Sequence, residues 1–270
     1  MLKRGQTGVI IVTSIVIVSV VMITYIIYSN IQSKSMGTTG AFVSREPIYD
    51  FVVQCMDEKA IEGLRLLGVS GGCIESFDNC DSLGFFEDVN VKIPYYYVCD
   101  EVNADLNCVR GREKLVSENL GLMISKYLND NINDCLRSFN DFKKEGYNLA
   151  YNDYKFETEV FEGRVDIKTA DFKIDVKKGD YHAVLSDFKT SIEIRIPLIQ
   201  DTIADIIDQI KKDSSNIDLT YMSLSDLEIN RIDTIDDDAR VAVYFLTDYD
   251  NVFDNEPYRF WFALKYRPEV

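Results

Sequence analysis

The chain has 270 residues and a formal net charge of −16, with 45 acidic residues against 29 lysines and arginines. No acidic residue precedes Glu46, so the negative charge is confined to the part of the chain after the first 45 residues. A surface of this sign repels the phosphates of nucleic acids and anionic lipid head groups. The composition therefore argues against a nucleic-acid partner and against peripheral attachment to an anionic membrane surface.

A long apolar run stands near the start of the chain. Residues 5–33 contain no charged side chain, and residues 9–28 are almost wholly Val, Ile, Met and Tyr. This length matches the ~20 residues that a transmembrane helix needs, and it exceeds the apolar part of a secretory signal. Lys3 and Arg4 precede the run, which places the N-terminus in the cytoplasm and the acidic domain outside. The sequence predicts a transmembrane helix over residues 6–32, with the lipid bilayer as its partner, in a single-pass cell-membrane protein.

The leader before this run has a recognisable pattern. Residues 3–6, Lys-Arg-Gly-Gln, resemble the class III signal of archaeal type IV pilin-like precursors, in which a prepilin peptidase cuts after the glycine. The resemblance implies that Gly5 is the last residue of a leader, 1–5, and that Gln6 is the new N-terminus. The fifth residue after such a cut is Ile10, where the common pilin pattern has a glutamate used in filament assembly. Cleavage after Gly5 and an uncleaved anchor that follows the positive-inside rule both stay open.

The six cysteines form one cluster. They lie between positions 55 and 135, and the apolar run and residues 136–270 contain none. An even number behind an export-type segment is typical of disulfides made outside the cytoplasm. A metal site is disfavoured because there is no C-x-x-C pair and the single histidine lies far away. Among the many pairings that remain open, a nested set is favoured: Cys55–Cys135, Cys73–Cys80 and Cys99–Cys108.

After a polar linker at 33–45, residues 46–142 are predicted to form a helical, cysteine-rich subdomain. Apolar residues at helical spacing predict helices over 47–67 and 112–142. The paired glycines at 71–72 break the chain between them, and residues 91–99, with three adjacent tyrosines, predict a short strand that is at least partly buried.

Residues 150–270 are predicted to form a β-rich α+β domain. From residue 155 to residue 197 apolar and charged residues alternate, which predicts an antiparallel meander with one wet face. An amphipathic helix is predicted over 198–212. Three further strands are predicted: 227–233, 240–248 and 258–268. The predicted fold is α+β: an N-terminal transmembrane helix, a disulfide-stapled helical segment, and an antiparallel β-meander with one packed helix.

The acidic residues of the meander are the candidates for a pair of catalytic carboxylates. Alternation places Glu157, Glu159, Asp166 and Asp175 on the solvent face, so we interpret them as solvated surface groups. His182 lies in the same stretch without an obvious partner and is interpreted as structural.

Known catalytic and metal motifs do not fit the chain. The acidic loop at 248–256 fails the EF-hand template because Val252, Phe253 and Arg259 stand where a ligand, a glycine and a glutamate are required. A calcium site of another kind stays open there. We expect no cofactor and no catalytic or metal-binding residues.

Several features together resemble the membrane-anchored, pilin-like surface proteins of some small-genome archaea. They are the Lys-Arg-Gly-Gln leader, the cysteine-bearing helical segment with the break at Leu67, Gly68, Gly71 and Gly72, and the aromatic strand at 260–267. The function of that group is unassigned, so the resemblance implies location and anchoring. It favours a structural or adhesive surface protein, with itself in a filament or another surface protein as partner. The alternatives are an uncleaved, anchored binding or sensor-like ectodomain and, less favoured, an extracellular hydrolase.

Overall fold

The computed structural model describes the following residues: 46–72, 82–83, 93–102, 105–110, 117–212, 219–236 and 239–267. All of them belong to one compact unit, Arg45–Val270. The helices are α1 (Glu46–Val69), α2 (Ser117–Leu136), α3 (Phe139–Lys144), α4 (Ile196–Lys212) and α5 (Leu219–Leu224). The strands are β1 (Ser82–Leu83), β2 (Ile93–Val102), β3 (Asp105–Arg110), β4 (Asn148–Tyr151), β5 (Lys155–Val160), β6 (Arg164–Ala170), β7 (Ile174–Lys178), β8 (Tyr181–Leu185), β9 (Lys189–Glu193), β10 (Glu228–Asp236), β11 (Ala239–Phe253) and β12 (Glu256–Arg267).

The predicted membrane segment is not among these residues. The leader at 1–5, the transmembrane helix predicted over 6–32 and the linker at 33–45 lie outside the described part of the chain. Among the helices that are described, none is both long enough and apolar enough to cross a bilayer. The α+β class with antiparallel sheets, which the sequence predicts, is confirmed for the described residues.

The largest sheet joins the two ends of the described chain. Its strand order is β1-β2-β12-β11-β10, with β3 also paired to β2. The pairings within it are antiparallel except the one between β2 and β12, which is parallel. Because β2 lies within 46–142 and β12 within 150–270, the two segments distinguished in the sequence share one sheet.

Helix α1 confirms the prediction over 47–67 and runs slightly further. Its buried positions follow helical spacing and face the main core: Ile48, Val52, Cys55, Met56, Ala60, Leu64 and Leu67. The helix ends at the predicted glycine break, where Gly71 and Gly72 have φ of 53° and 72°. Gly68 has a different role, because a Cβ there would overlap the carbonyl oxygen of Arg259 on β12. Its missing side chain lets the end of α1 lie directly on the sheet.

The single helix predicted over 112–142 is wrong at its C-terminal end. Helix α2 ends at Leu136, and a turn separates it from the short helix α3; residues 112–116 lie outside the described part. In the turn, the N–H of Ser138 bonds to the carbonyl of Cys135, three residues back, at 2.9 Å. After the turn, Phe139 packs against Phe51 of α1, with ring centroids 5.5 Å apart. The helix break thus coincides with an aromatic contact between α1 and α3.

The meander predicted from residue 155 is divided between two sheets rather than one. One has the order β5-β6-β9 and the other β4-β7-β8. The chain crosses between them after β6 and again after β8, with Asp171 and Asp187 in the left-handed region at φ of 55° and 60°. Next to these aspartates, the buried rings of Phe172 and Phe188 meet at a centroid distance of 5.4 Å. The crossings thus follow from two short turns that place one aromatic ring each in the core.

Helix α4 confirms the helix predicted over 198–212 and begins two residues earlier. Its inward positions are apolar and buried: Ile196, Ile199, Ile203, Ile206, Ile207 and Ile210. Tyr221 of α5 donates a hydrogen bond from its hydroxyl to Asp205 of α4 at 3.2 Å. Burial and the neighbouring Asp205 carboxylate raise the pKa of Tyr221 to about 12, so the phenol remains a donor at physiological pH.

Candidate functional site

The sheet β5-β6-β9 carries one strongly polar surface, which we call the groove face. It borders a cavity of about 530 Å³, and its residues come from all three strands: Glu157, Glu159, Arg164, Asp166, Lys168, Lys189 and Ser191. Ile167 and Thr190, which also line the cavity, stand opposite each other in the register of β6 and β9. Cross-strand register explains the grouping. Lys168 stands opposite both Glu157 and Lys189, and Asp166 stands opposite both Glu159 and Ser191.

Ion pairs form on this face both between β5 and β6 and within β6. Lys168 Nζ lies 3.1 Å from a carboxylate oxygen of Glu159 and 3.4 Å from one of Glu157. Arg164 Nε donates to both oxygens of Asp166, at 3.0 and 3.2 Å. These side chains are between a third and three fifths exposed, so water competes with every contact. The cross-strand pairs fix side-chain positions on the groove face more than they stabilise the fold.

Asp166 is the best-connected carboxylate of the groove face. Ser191 Oγ donates to its Oδ1 at 2.6 Å. This hydrogen bond, together with the Arg164 guanidinium, holds the pKa of Asp166 below its usual value of 3.8. A general acid near neutral pH needs the opposite shift. The arrangement is suited to recognising polar groups on a ligand, with charged side chains held in place.

Lys189 differs from the other two cations of the groove face. Arg164 and Lys168 are engaged by carboxylates, whereas no ion pair to Lys189 is found among the described residues. The neighbouring Thr190 points to the other side of the sheet, where its hydroxyl donates to Asp57 of α1. Lys189 is therefore the cation that the groove face offers to an anionic group.

A second polar cluster is buried under the end of β11. Asp248 is 1% exposed, and Arg195, just before α4, donates to both of its oxygens. The same carboxylate accepts from the Asp250 N–H at 3.1 Å and from Asn251 Nδ2 at 2.6 Å. With these four donors the acceptor sites of Asp248 are filled. The cluster lies at the register shift between Asp248 and Val252, so it organises an irregular strand end.

This cluster is relevant to the hypothesis that the loop at 248–256 binds calcium. Asp248 is committed to Arg195, and hydrogen bonding to Asp248 raises the pKa of Arg195, which stays charged. Across the described residues, no group of three or more His, Cys, Asp or Glu side chains is placed to hold a metal ion. The sequence pattern did not predict this pair. Arg195 and Asp248 are 53 positions apart, and each looks like an ordinary surface residue of its own strand or turn.

The strand charges singled out from the sequence lie where alternation places them. Glu157 and Glu159 are exposed, and Asp166 and Asp175 are partly exposed. The expectation that His182 has no partner is wrong. Its Nε2 lies 2.6 Å from Asp175 Oδ1 on the neighbouring strand, in an exposed cross-strand pair. This pair belongs to the sheet β4-β7-β8 and not to the groove face.

The cysteines are described in part. A disulfide joins Cys55 of α1 to Cys135 of α2, the helix-to-helix pairing favoured from the sequence, with Cα atoms 5.9 Å apart. In the backbone register of β2 and β3, Cys99 stands directly opposite Cys108. A Cys99–Cys108 bond stays a prediction. The cysteines of the Cys73–Cys80 prediction, and the cleavage residues Gly5 and Gln6, lie outside the described residues.

Comparison with known proteins gives no relative. No family model matches the chain, and no curated protein and no solved structure shows significant similarity to it.

Proposed function

We propose that this chain is a membrane-anchored extracellular surface protein with a structural or adhesive role, made as a pilin-like precursor. The observation that carries the proposal is the Cys55–Cys135 disulfide, in a domain that follows an uncharged apolar run. Disulfides persist mainly in compartments outside the cytoplasm. Cys55 is 1% exposed, so the bond lies in the core as a structural link and is not placed for exchange with other thiols.

The acidic domain and the basic leader support the same orientation. Charge separates along the chain, with Lys3 and Arg4 before the run and all acidic residues after it. The pilin-like form adds that the leader is removed while the apolar helix stays on the mature protein. The domain would then stand outside the cell, either on a helix in the bilayer or on a helix packed in a filament.

The mature N-terminus tests this proposal. The full chain is produced in a host with its own prepilin-processing machinery, and mass spectrometry of the purified protein reads the first residue. We expect Gln6 to be first, and a matched Gly5→Val variant to keep the leader. A wild-type chain that starts at Met1 or Leu2 would contradict the pilin-like form.

Sheared surface fractions separate assembly from anchoring. If the chain is a filament subunit, it is recovered in the sheared filament fraction from wild-type cells. The Gly5→Val variant should then be found in the membrane fraction alone. If the cleaved chain is recovered in the membrane fraction only, the protein is anchored in the membrane and is not a filament subunit.

The groove face favours a second candidate, an anchored binding or sensor-like ectodomain. Lys189 supplies a cation for an anionic group, and hydroxyls and carboxylates lie beside it. Succinate serves as an anionic probe in thermal unfolding of the full chain. Lys189→Met should reduce the stabilisation by succinate, whereas the matched Lys177→Met on β7 should keep it. Equal stabilisation of both variants would contradict a ligand role for Lys189.

A further inference from the structure

Strand β10 is an edge of the largest sheet. It pairs with β11 along its full length, from Glu228 opposite Thr247 to Asp236 opposite Ala239. In the part of the chain that the structure describes, no strand pairs with its other edge. Nine residues at ~3.4 Å each give an edge about 30 Å long, with a row of backbone donors and acceptors.

Two apolar side chains of this edge are well exposed to solvent. Ile232 is 44% exposed and Ile235 is 76% exposed, and they lie on opposite faces of the strand. Natural edge strands are commonly protected by charged side chains, especially lysine, by proline or by a bulge, and β10 carries charges of both signs. Strand β10 contains no lysine and no proline, and its pairing with β11 is regular throughout. Such an edge is suited to pairing with another strand.

We propose that two copies of this chain associate through β10, forming an antiparallel strand pair about a two-fold axis at Ile232. In this register all nine residues overlap. Arg231 stands opposite the partner's Asp233, and Ile229 stands opposite the partner's Ile235. The two copies of Ile232 face each other at the axis. Opposite charges and apolar side chains at directly opposed positions are the pairs that stabilise antiparallel strands.

Charge selects this register over its neighbours. Sliding one strand by two residues places either Arg231 opposite its own copy or Asp233 opposite its own copy. If one strand slides by a single residue, backbone N–H and C=O groups that point toward the partner strand stand opposite groups that point away from it. The hydrogen bonds between the two strands are then lost. The register with the greatest overlap is therefore also the one with complementary charges.

Within each copy, Arg231 and Asp233 already form an ion pair on one face of the strand. The Arg231 guanidinium lies over the Tyr244 ring, 5.8 Å from the centroid, and donates to Asp233 at 2.8 Å. Asp233 remains 55% exposed, so it can accept from the partner's Arg231 without losing its own. The two arginines and two aspartates would form one alternating charge cluster across the axis.

The like-charged residues at the ends of the pair are each bound by a group on the same sheet. Glu228 would stand opposite the partner's Asp236. Glu228 accepts a hydrogen bond from the Tyr249 hydroxyl, and Asp236 is paired with Lys265 at 2.7 Å. The cation Lys265 therefore offsets the charge of Asp236, and the repulsion between Asp236 and the partner's Glu228 is reduced.

Cysteine cross-linking tests the register on the full chain in detergent. Ile232→Cys places two thiols at directly opposed positions, within the Cα separation that a disulfide spans. In Ile235→Cys the two thiols would be ~20 Å apart, since six residues separate the equivalent positions across the axis. Mild oxidation should convert most of the Ile232→Cys chain to a covalent dimer and little of the more exposed Ile235→Cys chain. Equal yields, or no dimer from Ile232→Cys, would overturn the proposal.

A charge exchange tests the same contact without cysteines. Asp233→Arg places arginine opposite arginine and should weaken the dimer about tenfold in analytical ultracentrifugation, because two attractive cross-strand pairs become repulsive. Adding Arg231→Asp restores opposite charges and should restore association. The melting temperature of each variant shows that it is folded. A folded double variant that stays as weakly associated as Asp233→Arg would contradict the pairing.

Discussion

Two arginine–aspartate pairs in this domain have the same chemistry and very different surroundings. The Arg195–Asp248 pair lies under the end of β11, with Asp248 1% exposed. The Arg164–Asp166 pair lies on the groove face, with side chains 55% and 37% exposed. In the first, protein donors replace water completely around the carboxylate. In the second, water is available to take the place of either partner. From this difference we expect that solvent exposure, more than the distance between the charged atoms, decides how much each pair contributes to stability. The buried pair stabilises the fold, and the exposed pair is available to bind a ligand.

The disulfide is the extreme case of a buried link, so its removal should have the largest effect. The double variant Cys55→Ala/Cys135→Ala opens a loop closed across 80 residues, for which chain entropy predicts a loss of about 4 kcal/mol. Urea unfolding of the full chain measures the loss. Dithiothreitol should destabilise the wild type and have a smaller effect on the double variant. A loss below ~1 kcal/mol would mean that packing alone holds α1 to α2.

Replacing the two aspartates compares the pairs directly. Asp248→Ala leaves the Asp250 N–H and the Asn251 amide without their acceptor and leaves Arg195 only its ion pair with exposed Asp250, so it should cost about 3 kcal/mol of unfolding free energy. Asp166→Ala should cost under ~1 kcal/mol, because water replaces its partners. Chemical denaturation of both variants at the same pH gives the two values. Similar losses would break the distinction between buried and exposed pairs.

Two glycines extend the comparison of buried and exposed positions from ion pairs to steric packing. Gly68→Ala forces a methyl group against the Arg259 carbonyl and should cost about 2 kcal/mol through displacement of the end of α1. Gly163→Ala is the matched control, since nothing lies within 4 Å of a Cβ at that position. Its stability should stay within ~0.5 kcal/mol of the wild type. The comparison fails if Gly163→Ala is the more damaging of the two.

The smallest expected effect is a pH dependence on the groove face. The folded-state pKa of Asp166 is lowered by Ser191 and Arg164, so its stabilising contribution is present above the usual pKa of 3.8. The contribution is lost as the pH falls through the lower folded-state pKa. Ser191→Ala should therefore be slightly less stable than wild type at pH 6, and the difference should decrease as the pH falls below 3.8. A constant difference across this range would contradict the assignment, with Ser223→Ala as a control hydroxyl that bonds only to a backbone carbonyl.

Local patterns predicted much of this fold. The apolar spacing of α1 and α4 is enough to place both helices, and the alternation of charges places Glu157 and Glu159 in solvent. Strand partners were harder to predict. The same alternating pattern fits one meander or two sheets, because pairing depends on turns such as those at Asp171 and Asp187 and on what the rings beside them contact.

The candidate site shows the same limit. The charges of the groove face could be placed on one side of the strands from sequence. Their grouping depends on β9 returning to β6, which no local pattern encodes. The Arg195–Asp248 pair could not be anticipated because burial of a charge requires a partner brought from a distant part of the chain. Helix α2 stops at Leu136 for a similar reason, since the packing of Phe139 on Phe51 is a tertiary contact.

The parallel pairing of β2 with β12 sets an order of events during folding. Strand β2 cannot complete its hydrogen bonding until β12 has been synthesised, because β12 is the neighbour that connects it to the rest of the sheet. Contacts between such distant parts of a chain form slowly. Until then the buried tyrosines Tyr95 and Tyr96 lack the sheet that covers them. The largest sheet is therefore expected to reach its final structure only after β12 has been synthesised, later than the two three-stranded sheets.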